Sequence, residues 1–413
     1  MLGSTARLAW RNLGRNRRRT ALALAAIAVA QTAVLAMDGL MNGWGDSMLD
    51  TLTGPLMGHA QIHAPEWREE RAPDLVIDGV GEMLDEVRAL PTVQDAYARI
   101  YAPALVAREV DGHAVIVAGI DIAAERSSGG LLEGLPEAGI PTERGALVGS
   151  SLAREVGIEV GDELAVLGQG ADGSMANDLV TVTGILETPI DMINRTGIVV
   201  HLALAQEIFA MPDQAHEINV RGIGGADDAA ALVAALGGVD GADQLEVLPW
   251  DELAPELSQM LDITEIYGLV VLFIVFIAAA AGVANTMLMA TFERRRELGM
   301  LLSLGTTPAR LVRIVLTEAV VLGLLGVLIG TFLGGLLVFY QNQTGIDFTQ
   351  WGDQEASVDM AIYGVNFSGA IYPYLSVSDC VPGFVGVVVV SVLAALWPAA
   401  VAARLEPVEA MRG

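Results

Sequence analysis

The sequence from 266 to 305 reads IYGLVVLFIVFIAAAAGVANTMLMATFERRRELGMLLSLG. Its first 25 residues carry no charge, which is enough for a helix to cross the hydrocarbon core of a bilayer. Charged residues follow at once in Glu293-Arg294-Arg295-Arg296-Glu297, before leucine and methionine resume. The stretch therefore predicts a membrane span that leaves the bilayer and continues as a short amphipathic helix.

Three more apolar runs of this kind occur in the chain of 413 residues, which is 53% hydrophobic and only 18% charged. We predict a membrane α-helical protein with four transmembrane helices and a large extracytoplasmic α+β domain inserted between the first and second spans. The predicted segments are a cytoplasmic amphipathic helix at 1–19, spans at 20–41, 266–290, 311–340 and 381–403, an outer domain at 42–265, a cytoplasmic coupling hairpin at 291–310, an outer loop at 341–380 and a cytoplasmic tail at 404–413.

Arginines near the ends of the spans set the orientation, because basic residues close to a span stay in the cytoplasm. They cluster at 7–19, 294–313 and 404–412, whereas 41–265 holds 39 acidic residues against 10 arginines, a net charge of −29. Both termini are therefore expected inside and the large domain outside.

The amino-terminal segment allows other interpretations. Arg7, Arg11 and Arg15 recur every four residues, as in a helix lying on the inner leaflet, but a frayed basic tail has the same composition. A cleaved signal peptide would end near Ala28-Val29-Ala30, yet the apolar run continues through Leu35.

Between the first two spans the sequence alternates between strand and helix patterns. The strand-like segments are 60–63, 114–118, 179–183 and 198–200, and the helical ones are 81–90, 152–156, 202–209 and 227–236. Their order predicts one subdomain from about 50–105 and 213–262, with a strand-rich insert from about 106–212. Gly157 and Gly161 are expected to provide positive φ in a turn that enters a strand.

The composition excludes several classes of function. All 23 basic residues are arginine and the net charge is −27, so the broad basic surface of a nucleic-acid-binding protein is missing. Cys380 is the single cysteine, which excludes an intrachain disulfide. His59 and His63 share one side of a predicted strand, but no third metal ligand stands nearby, and neither a phosphate loop nor a nucleophile turn occurs. The sequence thus predicts no catalytic residue and no metal site.

The cytoplasmic hairpin carries clear signals for its ends. Gly305 is expected to end the short helix with a left-handed conformation, Thr307 to cap the next helix and Pro308 to occupy its first position. The charged residues 293–297 and the leucines and methionine that follow them can dock together in a groove of a cytoplasmic partner. The hairpin can equally be a topology anchor.

In the third span, Gly326, Gly330 and Gly334 recur every four residues and favour close helix packing over a pore lining. Glu318 lies near the cytoplasmic end of the same span, where a charge in lipid is costly. It is expected to face protein or water, with Arg313 as a candidate partner.

Several of these segments together resemble the FtsX-like permease superfamily of ABC transporters. The matching segments are Trp10-Arg11-Asn12-Leu13, Arg17-Arg18-Arg19-Thr20, 293–299 with Leu304-Gly305, Glu318-Ala319 with Gly326, the tail from 398 to 412, and 149–153 with 157–162 in the outer domain. Within this superfamily the chain is most similar to the LolC/LolE-type lipoprotein-releasing permeases, because it has four spans, a large domain after the first span and no fused ATPase. The outer segment 341–380 is longer than that group leads one to expect.

The resemblance implies a non-catalytic permease subunit of the bacterial inner membrane that transmits mechanical motion. Its implied partners are an ABC ATPase dimer that binds ATP and Mg, a second permease chain, identical or homologous, membrane lipids, and a periplasmic chaperone or adaptor; the chain itself would hold no cofactor. The implied ATPase-coupling residues are Glu293, Arg294, Arg295, Arg296, Glu297, Leu298, Leu304 and Gly305. Acyl chains would enter between the first two spans, whose walls would be Met37, Leu40, Met41, Trp44, Met48, Met260, Ile263, Tyr267 and Val271.

Two other functions remain open from the sequence. One is MacB-like efflux of drugs, peptides or lipids, and the other is FtsX-like transmembrane signalling to a cell-wall hydrolase. Each methionine or aromatic residue of the proposed walls also suits ordinary packing or contact with lipid.

Overall fold

The structure is a computed structural model that describes residues 17–108, 111–126, 130–133, 135–136, 139–347, 361–362, 365–366 and 370–404. Most of the predicted basic helix at 1–19, much of the outer loop at 341–380 and nearly all of the tail at 404–413 lie outside these residues. In chain order the described helices are α1 (Arg17–Leu52), α2 (Trp67–Glu70), α3 (Val80–Arg88), α4 (Ile122–Glu125), α5 (Ser150–Val156), α6 (Asp191–Thr196), α7 (Leu202–Ile208), α8 (Ala229–Leu236), α9 (Trp250–Leu253), α10 (Pro255–Glu293), α11 (Arg295–Ser303), α12 (Pro308–Thr344) and α13 (Val377–Ala403). The described strands are β1 (Ala60–His63), β2 (Ile77–Asp78), β3 (Val93–Arg108), β4 (Asp111–Ile120), β5 (Gly145–Gly149), β6 (Glu163–Gln169), β7 (Met175–Leu186), β8 (Gly197–His201), β9 (Gln214–Ala215), β10 (Glu217–Gly222), β11 (Glu246–Pro249), β12 (Ile346–Asp347), β13 (Ala361–Ile362), β14 (Val365–Asn366) and β15 (Ala370–Ile371).

Among the described residues, four helices are long and apolar enough to cross a membrane: α1, α10, α12 and α13. The predicted fold class is confirmed. The helices extend beyond the predicted spans, since α10 begins at Pro255 and α12 ends at Thr344. Helical backbone hydrogen bonds do not require apolar side chains, so apolar length marks the span rather than the helix.

The chain forms two compact units. The helical unit contains residues 17–45, 260–347 and 370–404, and the outer domain contains 46–259. The core of the helical unit draws on all four long helices, with Ile27 of α1, Val283 of α10, Leu322 of α12 and Val387 of α13 in one buried cluster.

The outer domain is built on one nine-stranded sheet in the order β11-β1-β10-β3-β4-β8-β5-β7-β6. An additional antiparallel pairing joins Ala104–Ala107 of β3 to β6. The strands β3, β4, β8, β5, β7 and β6 therefore close into a barrel, whose inward side chains include Val117, Val166 and Val182. Closure gives β6 a partner on each side and so covers an edge that an open sheet would expose.

The sixteen-residue strand β3 links the barrel to the rest of the domain. Its first half pairs with β10 and its second half with β6, while β4 pairs along its other edge. The insert predicted to begin at about 106 therefore begins within a strand instead of a linker. The predicted turn is present, with Gly157 at φ +71° and Gly161 at φ +103° just before β6.

The end of α1 passes into the outer domain through a π-helical turn, Thr53–Met57, which a buried polar network holds. The Tyr97 hydroxyl donates to the carbonyl of Gly54 at 2.8 Å, and the Arg99 Nη1 donates to the carbonyl of Leu56 at 2.8 Å. Arg99 Nε also donates to Oε1 of Glu125 at 2.6 Å, and both side chains are essentially inaccessible to solvent. Burial is the largest single effect on the pKa of Arg99 and lowers it, but Glu125, Tyr101 and Tyr97 together outweigh it, so the pKa is raised and the guanidinium stays charged.

Candidate functional site

The hairpin between α10 and α12 is the candidate site for coupling. Helix α10 ends at Glu293, Arg294 leaves the helical conformation with φ −101° and ψ 13°, and α11 begins at Arg295. On its inner side, Leu298 packs in a buried cluster with Leu311 and Ala399 from α12 and α13. The short helix is therefore a packed part of the helical unit.

An ion pair fixes the start of α11. Arg294 Nη1 lies 2.8 Å from Oε1 and 3.2 Å from Oε2 of Glu318 in α12, and Arg294 Nε lies 3.4 Å from Oε2 of Glu297. The side chains of Arg294 and Glu318 are only 20% and 6% exposed, so water screens their attraction weakly. Glu318 faces protein, as expected. Its observed partner is Arg294, whereas the sequence analysis proposed Arg313, whose side chain is exposed.

Both ends of the turn between α11 and α12 follow the sequence signals. Gly305 has φ +89°, and the amide of Thr306 donates to the carbonyl of Leu301 across the helix end. Thr307 occupies the expected N-cap position of α12 in an extended conformation but makes no side-chain capping hydrogen bond, and Pro308 is the first helical residue. The hairpin thus has well-defined geometry at each change of direction.

The outer face of α11 differs from the predicted coupling set. Arg295, Arg296, Met300 and Leu304 are exposed, Leu304 at 84%, whereas Leu298 is 2% exposed and faces the helix core. Leu298 is therefore not available to a partner in this structure. Met300 and Leu301, which sequence reasoning missed, share the exposed side of the hairpin.

The glycines of α12 lie against α1. A Cβ built on Gly326 would be 2.7 Å from Ile27 Cβ, one on Gly330 would be 2.6 Å from Gln31 Cβ, and one on Gly334 would be 3.0 Å from Leu35 Cβ. Real Cβ atoms do not approach as closely as the distances at Gly326 and Gly330, and the contact at Gly334 would be unusually tight, so these glycines permit the observed spacing of the two helices. Gln31, which the sequence reading passed over, is fully buried at this contact.

The Gly330→Ala variant is expected to lower the free energy of unfolding of the helical unit by about 1–3 kcal/mol, because the new methyl overlaps Gln31 and the carbonyl of Ala28. Gly335→Ala in the same helix is the matched control, since its Cβ would meet nothing within 4 Å. It should be neutral or gain up to about 1 kcal/mol from helix propensity. Thermal unfolding of both variants in the same detergent measures the difference; equal stabilities would contradict close packing at Gly330.

The predicted acyl-chain walls lie on α1 and α10. Ile263 and Tyr267 are 50% and 65% exposed, and Met37, Leu40, Met41, Trp44, Met260 and Val271 are half-buried. Met48 is completely buried in the outer domain, so its side chain lines no open surface here. The two helices touch, since a Cβ on Gly45 would lie 3.7 Å from Leu261 Cδ2 and one on Gly282 would lie 3.8 Å from Ala26 Cβ.

The two histidines weighed as metal ligands have other contacts. His59 Nδ1 accepts a hydrogen bond from the amide of Gly222 at 3.1 Å, and His63 Nδ1 lies 3.6 Å from a carboxylate oxygen of Glu246. Burial is the main cause that lowers the pKa of both imidazoles. Within the described part of the chain, no group of three or more His, Cys, Asp or Glu side chains is placed to hold a metal.

Two family profiles match the chain and together cover most of it. Residues 20–238 match the MacB-like periplasmic core domain, and residues 269–407 match the FtsX-like permease C-terminal part. The first match spans α1 and most of the outer domain, and the second spans α10 to α13 with the hairpin between them.

Individual relatives agree with these matches. The chain is 22% identical over 291 residues to the lipoprotein-releasing system transmembrane protein LolC of Neisseria meningitidis, covering 66% of each chain. It is 26% identical over 240 residues to an ABC transporter permease of Methanocaldococcus jannaschii, covering 56% of this chain and 54% of the relative. The chain thus spans just under two thirds of the length of the first relative and about half of the second.

A solved structure with a related outer part is the periplasmic region of MacB from Actinobacillus actinomycetemcomitans. It covers 49% of this chain and 94% of its own length at 11% identity, with a TM-score of 0.36. The family assignment rests on the two profile matches, the larger of which covers more than half of the sequence. The chain therefore belongs to the FtsX-like ABC transporter permeases that carry a MacB-like periplasmic core domain.

Proposed function

We propose that this chain is the permease subunit of a mechanotransmitting ABC transporter that extracts lipoproteins, or another lipidated substrate, from the outer leaflet of the inner membrane. A separate ATPase subunit, present as a dimer, binds ATP and Mg, and a second permease chain completes the complex. A periplasmic chaperone or adaptor receives the substrate. Both termini of the chain are cytoplasmic.

The observation that carries the proposal is the construction of α11. Its inner face is fixed by the Arg294–Glu318 ion pair and by the packing of Leu298, while Met300 and Leu304 remain exposed. A partner that pushes on the exposed face would displace α12 together with α11, because the two helices move as one packed unit. Such a lever needs no catalytic group in the permease itself.

The substrate class is supported by the similarity to LolC and by the apolar facing surfaces of α1 and α10. In the present conformation these helices approach each other closely at Gly45 and at Gly282, and in the proposed cycle they separate to admit acyl chains. The unbranched methionines Met37, Met41 and Met260 suit acyl chains of variable shape. Separation of α1 from α10 is the movement that ATP binding would drive.

The Leu304→Glu variant is expected to reduce ATP-dependent release of an acylated peptide by about tenfold, because a charge replaces an apolar contact at the exposed face. The chain and its cognate ATPase are reconstituted in vesicles, and release of a fluorescent acylated peptide is followed with ATP hydrolysis. The free energy of unfolding should change by less than about 0.5 kcal/mol, since Leu304 is 84% exposed.

Val160→Glu, at a 61% exposed aliphatic side chain of the outer domain, is the control and should keep full release. Unchanged release in Leu304→Glu would contradict the role of α11. If the reconstituted complexes hydrolyse ATP but never release the acylated peptide, this result would instead contradict the substrate class and favour MacB-like efflux. Hydrolysis of ATP by the permease chain alone would overturn its assignment as a non-catalytic subunit.

A further inference from the structure

The outer domain contains a pocket of about 450 Å³ on the face of the sheet that lies outside the barrel. This volume falls within the range of about 300–1,000 Å³ that is typical of small-molecule sites. Its walls are mostly apolar and come from separate elements, including the π-helical turn, β4, α6 and β8. Met57, Ile116, Met192, Ile193 and Val199 are representative lining residues.

The charged groups of the lining are Arg68 and Arg71 around α2 and Glu217 of β10, and Gln61 of β1 lines the pocket with them; the hydroxyls of Tyr101 and Thr196 have hydrogen bonds within the protein. Gln61 is 2% exposed, and its Nε2 donates to Oδ1 of Asn219 at 2.7 Å. Its Oε1 has no hydrogen-bond partner among the residues that the structure describes. A buried acceptor of this kind is costly unless a ligand or water donates to it.

The charges at the pocket favour an anion. Among the lining residues, Arg68 and Arg71 face one carboxylate, that of Glu217, which lies 3.9 Å from Arg71 Nη1; Arg68 Nη2 also donates to the carbonyl of Leu253. Burial and the charge of Arg71 lower the pKa of Arg68, and the carboxylates of Glu217 and Glu256 oppose this effect only in part. Two of the ten arginines between 41 and 265 therefore meet at one pocket, in a segment whose net charge is −29.

The aromatic residues that pack against Arg71 are rigidly held. The Trp67 ring stacks on His216 with centroids 4.0 Å apart and an interplanar angle of 10°, and the Arg71 guanidinium lies 5.1 Å from the centroid of the Trp67 ring. His216 Nδ1 accepts from the amide of Tyr101 at 3.0 Å, which leaves the proton on Nε2 facing the carbonyl of Pro73. Burial lowers the pKa of His216 to about 4, so this support is neutral at ordinary pH. The site is preformed, which lowers the entropic cost of binding.

We propose that this pocket binds the acyl chain of a single-chain anionic amphiphile, with its charged head at Arg68 and Arg71 and a head-group donor at Gln61. The apolar walls exclude a purely polar ligand, and the two guanidiniums select an anionic head over a neutral or zwitterionic one. The occupant would contact Leu56 and Met57, the turn through which α1 joins the domain. Binding of this kind needs neither nucleotide nor ATPase, so it is tested separately from the proposed transport.

The test uses the full chain in lipid nanodiscs with palmitoyl lysophosphatidylglycerol that carries a photoreactive diazirine at the chain end. Mass spectrometry should locate crosslinks at lining residues such as Met57, Met192 and Ile193. The matched probe, palmitoyl lysophosphatidylcholine, has the same chain and a zwitterionic head, and should label these residues about tenfold less.

Two variants make the test specific. Ile116→Trp fills the pocket and should reduce labelling by the anionic probe about tenfold, whereas Leu179→Trp, at a 56% exposed side chain of β7, should leave it unchanged. If Ile116→Trp does not fold, the double variant Arg68→Gln/Arg71→Gln decides, because it should abolish the preference for the anionic head. Crosslinks confined to the four long helices, or equal labelling by the two probes, would overturn the proposal.

Discussion

Replacing Glu318 with alanine is expected to lower the free energy of unfolding of the helical unit by about 3 kcal/mol, near the lower end of the range for breaking a buried ion pair. The Arg294 side chain is 20% exposed, and its two shortest polar contacts, at 2.8 and 3.2 Å, are both with the Glu318 carboxylate. The substitution removes both contacts. The loss is not larger because Glu297 stays within 3.4 Å of Arg294. Thermal unfolding in detergent measures the change.

The same variant should also weaken coupling, because Arg294 marks the joint between α10 and α11. In reconstituted complexes, ATP-dependent release of the acylated peptide should fall further than the loss of folded protein explains. Arg313→Ala is the control, since this exposed arginine is the alternative partner offered by the sequence and should change stability by less than about 0.5 kcal/mol.

A second comparison separates stability from coupling. Arg294→Leu combined with Glu318→Leu replaces the pair by apolar groups, and such replacements are often neutral or stabilising. The double variant should regain most of the stability lost in Glu318→Ala, yet its coupling should remain low because the directional link between the helices is gone. Full recovery of release in the double variant would show that the ion pair contributes only to stability.

The pairing of Arg294 with Glu318 could not be predicted from the sequence, for a physical reason. The two residues are brought together by the packing of α11 on α12, and no local spacing records this. The alternative, Arg313, could have been set aside from helix geometry alone: residues five apart on an α-helix point about 140° away from each other.

The sequence of α11 does not determine which side of the helix faces its neighbours, because it offers two apolar faces. Leu298 and Leu302 lie four residues apart on one side, and Met300 and Leu304 lie four apart on another. Periodicity identifies both faces but does not say which one the neighbouring helices cover. The structure assigns Leu298 and Leu302 to the inside.

In the outer domain, local patterns predicted several strands but carried no information on their partners. The segments 60–63 and 198–200 match β1 and β8 almost residue for residue, although both strands are buried on both faces and not on one face only, as alternation predicts. Closure of the barrel depends on β3 meeting β6, a contact between residues far apart in the chain, which alternation does not encode. The pocket has the same origin, because its lining comes from many elements and no single motif marks it.

Replacing Arg99 with methionine is expected to lower the free energy of unfolding of the outer domain by about 3–5 kcal/mol, because Glu125 would remain buried without the guanidinium that neutralises it. The Glu125 carboxylate would keep the 2.9 Å hydrogen bond from the amide of Leu131. The carbonyl of Leu56 would lose one of its two donors, the other being Asn219 Nδ2 at 3.2 Å. Unfolding of the full chain, followed through a probe in the outer domain, measures the loss.

Arg144→Met provides the matched control, because Arg144 also contacts two acidic groups, Asp178 at 2.5 Å and Glu207 at 3.2 Å, but its side chain is 51% exposed. Exposed ion pairs contribute at most about 1 kcal/mol, so the same substitution should cost far less there. Hydrogen exchange adds a local readout: the amide of Gly58, which donates to the carbonyl of Thr53 at 2.6 Å, should exchange faster in Arg99→Met and at its normal rate in Arg144→Met. Equal effects of the two substitutions would mean that burial of Arg99 adds nothing to its pairing and that the π-helical turn is held by other contacts.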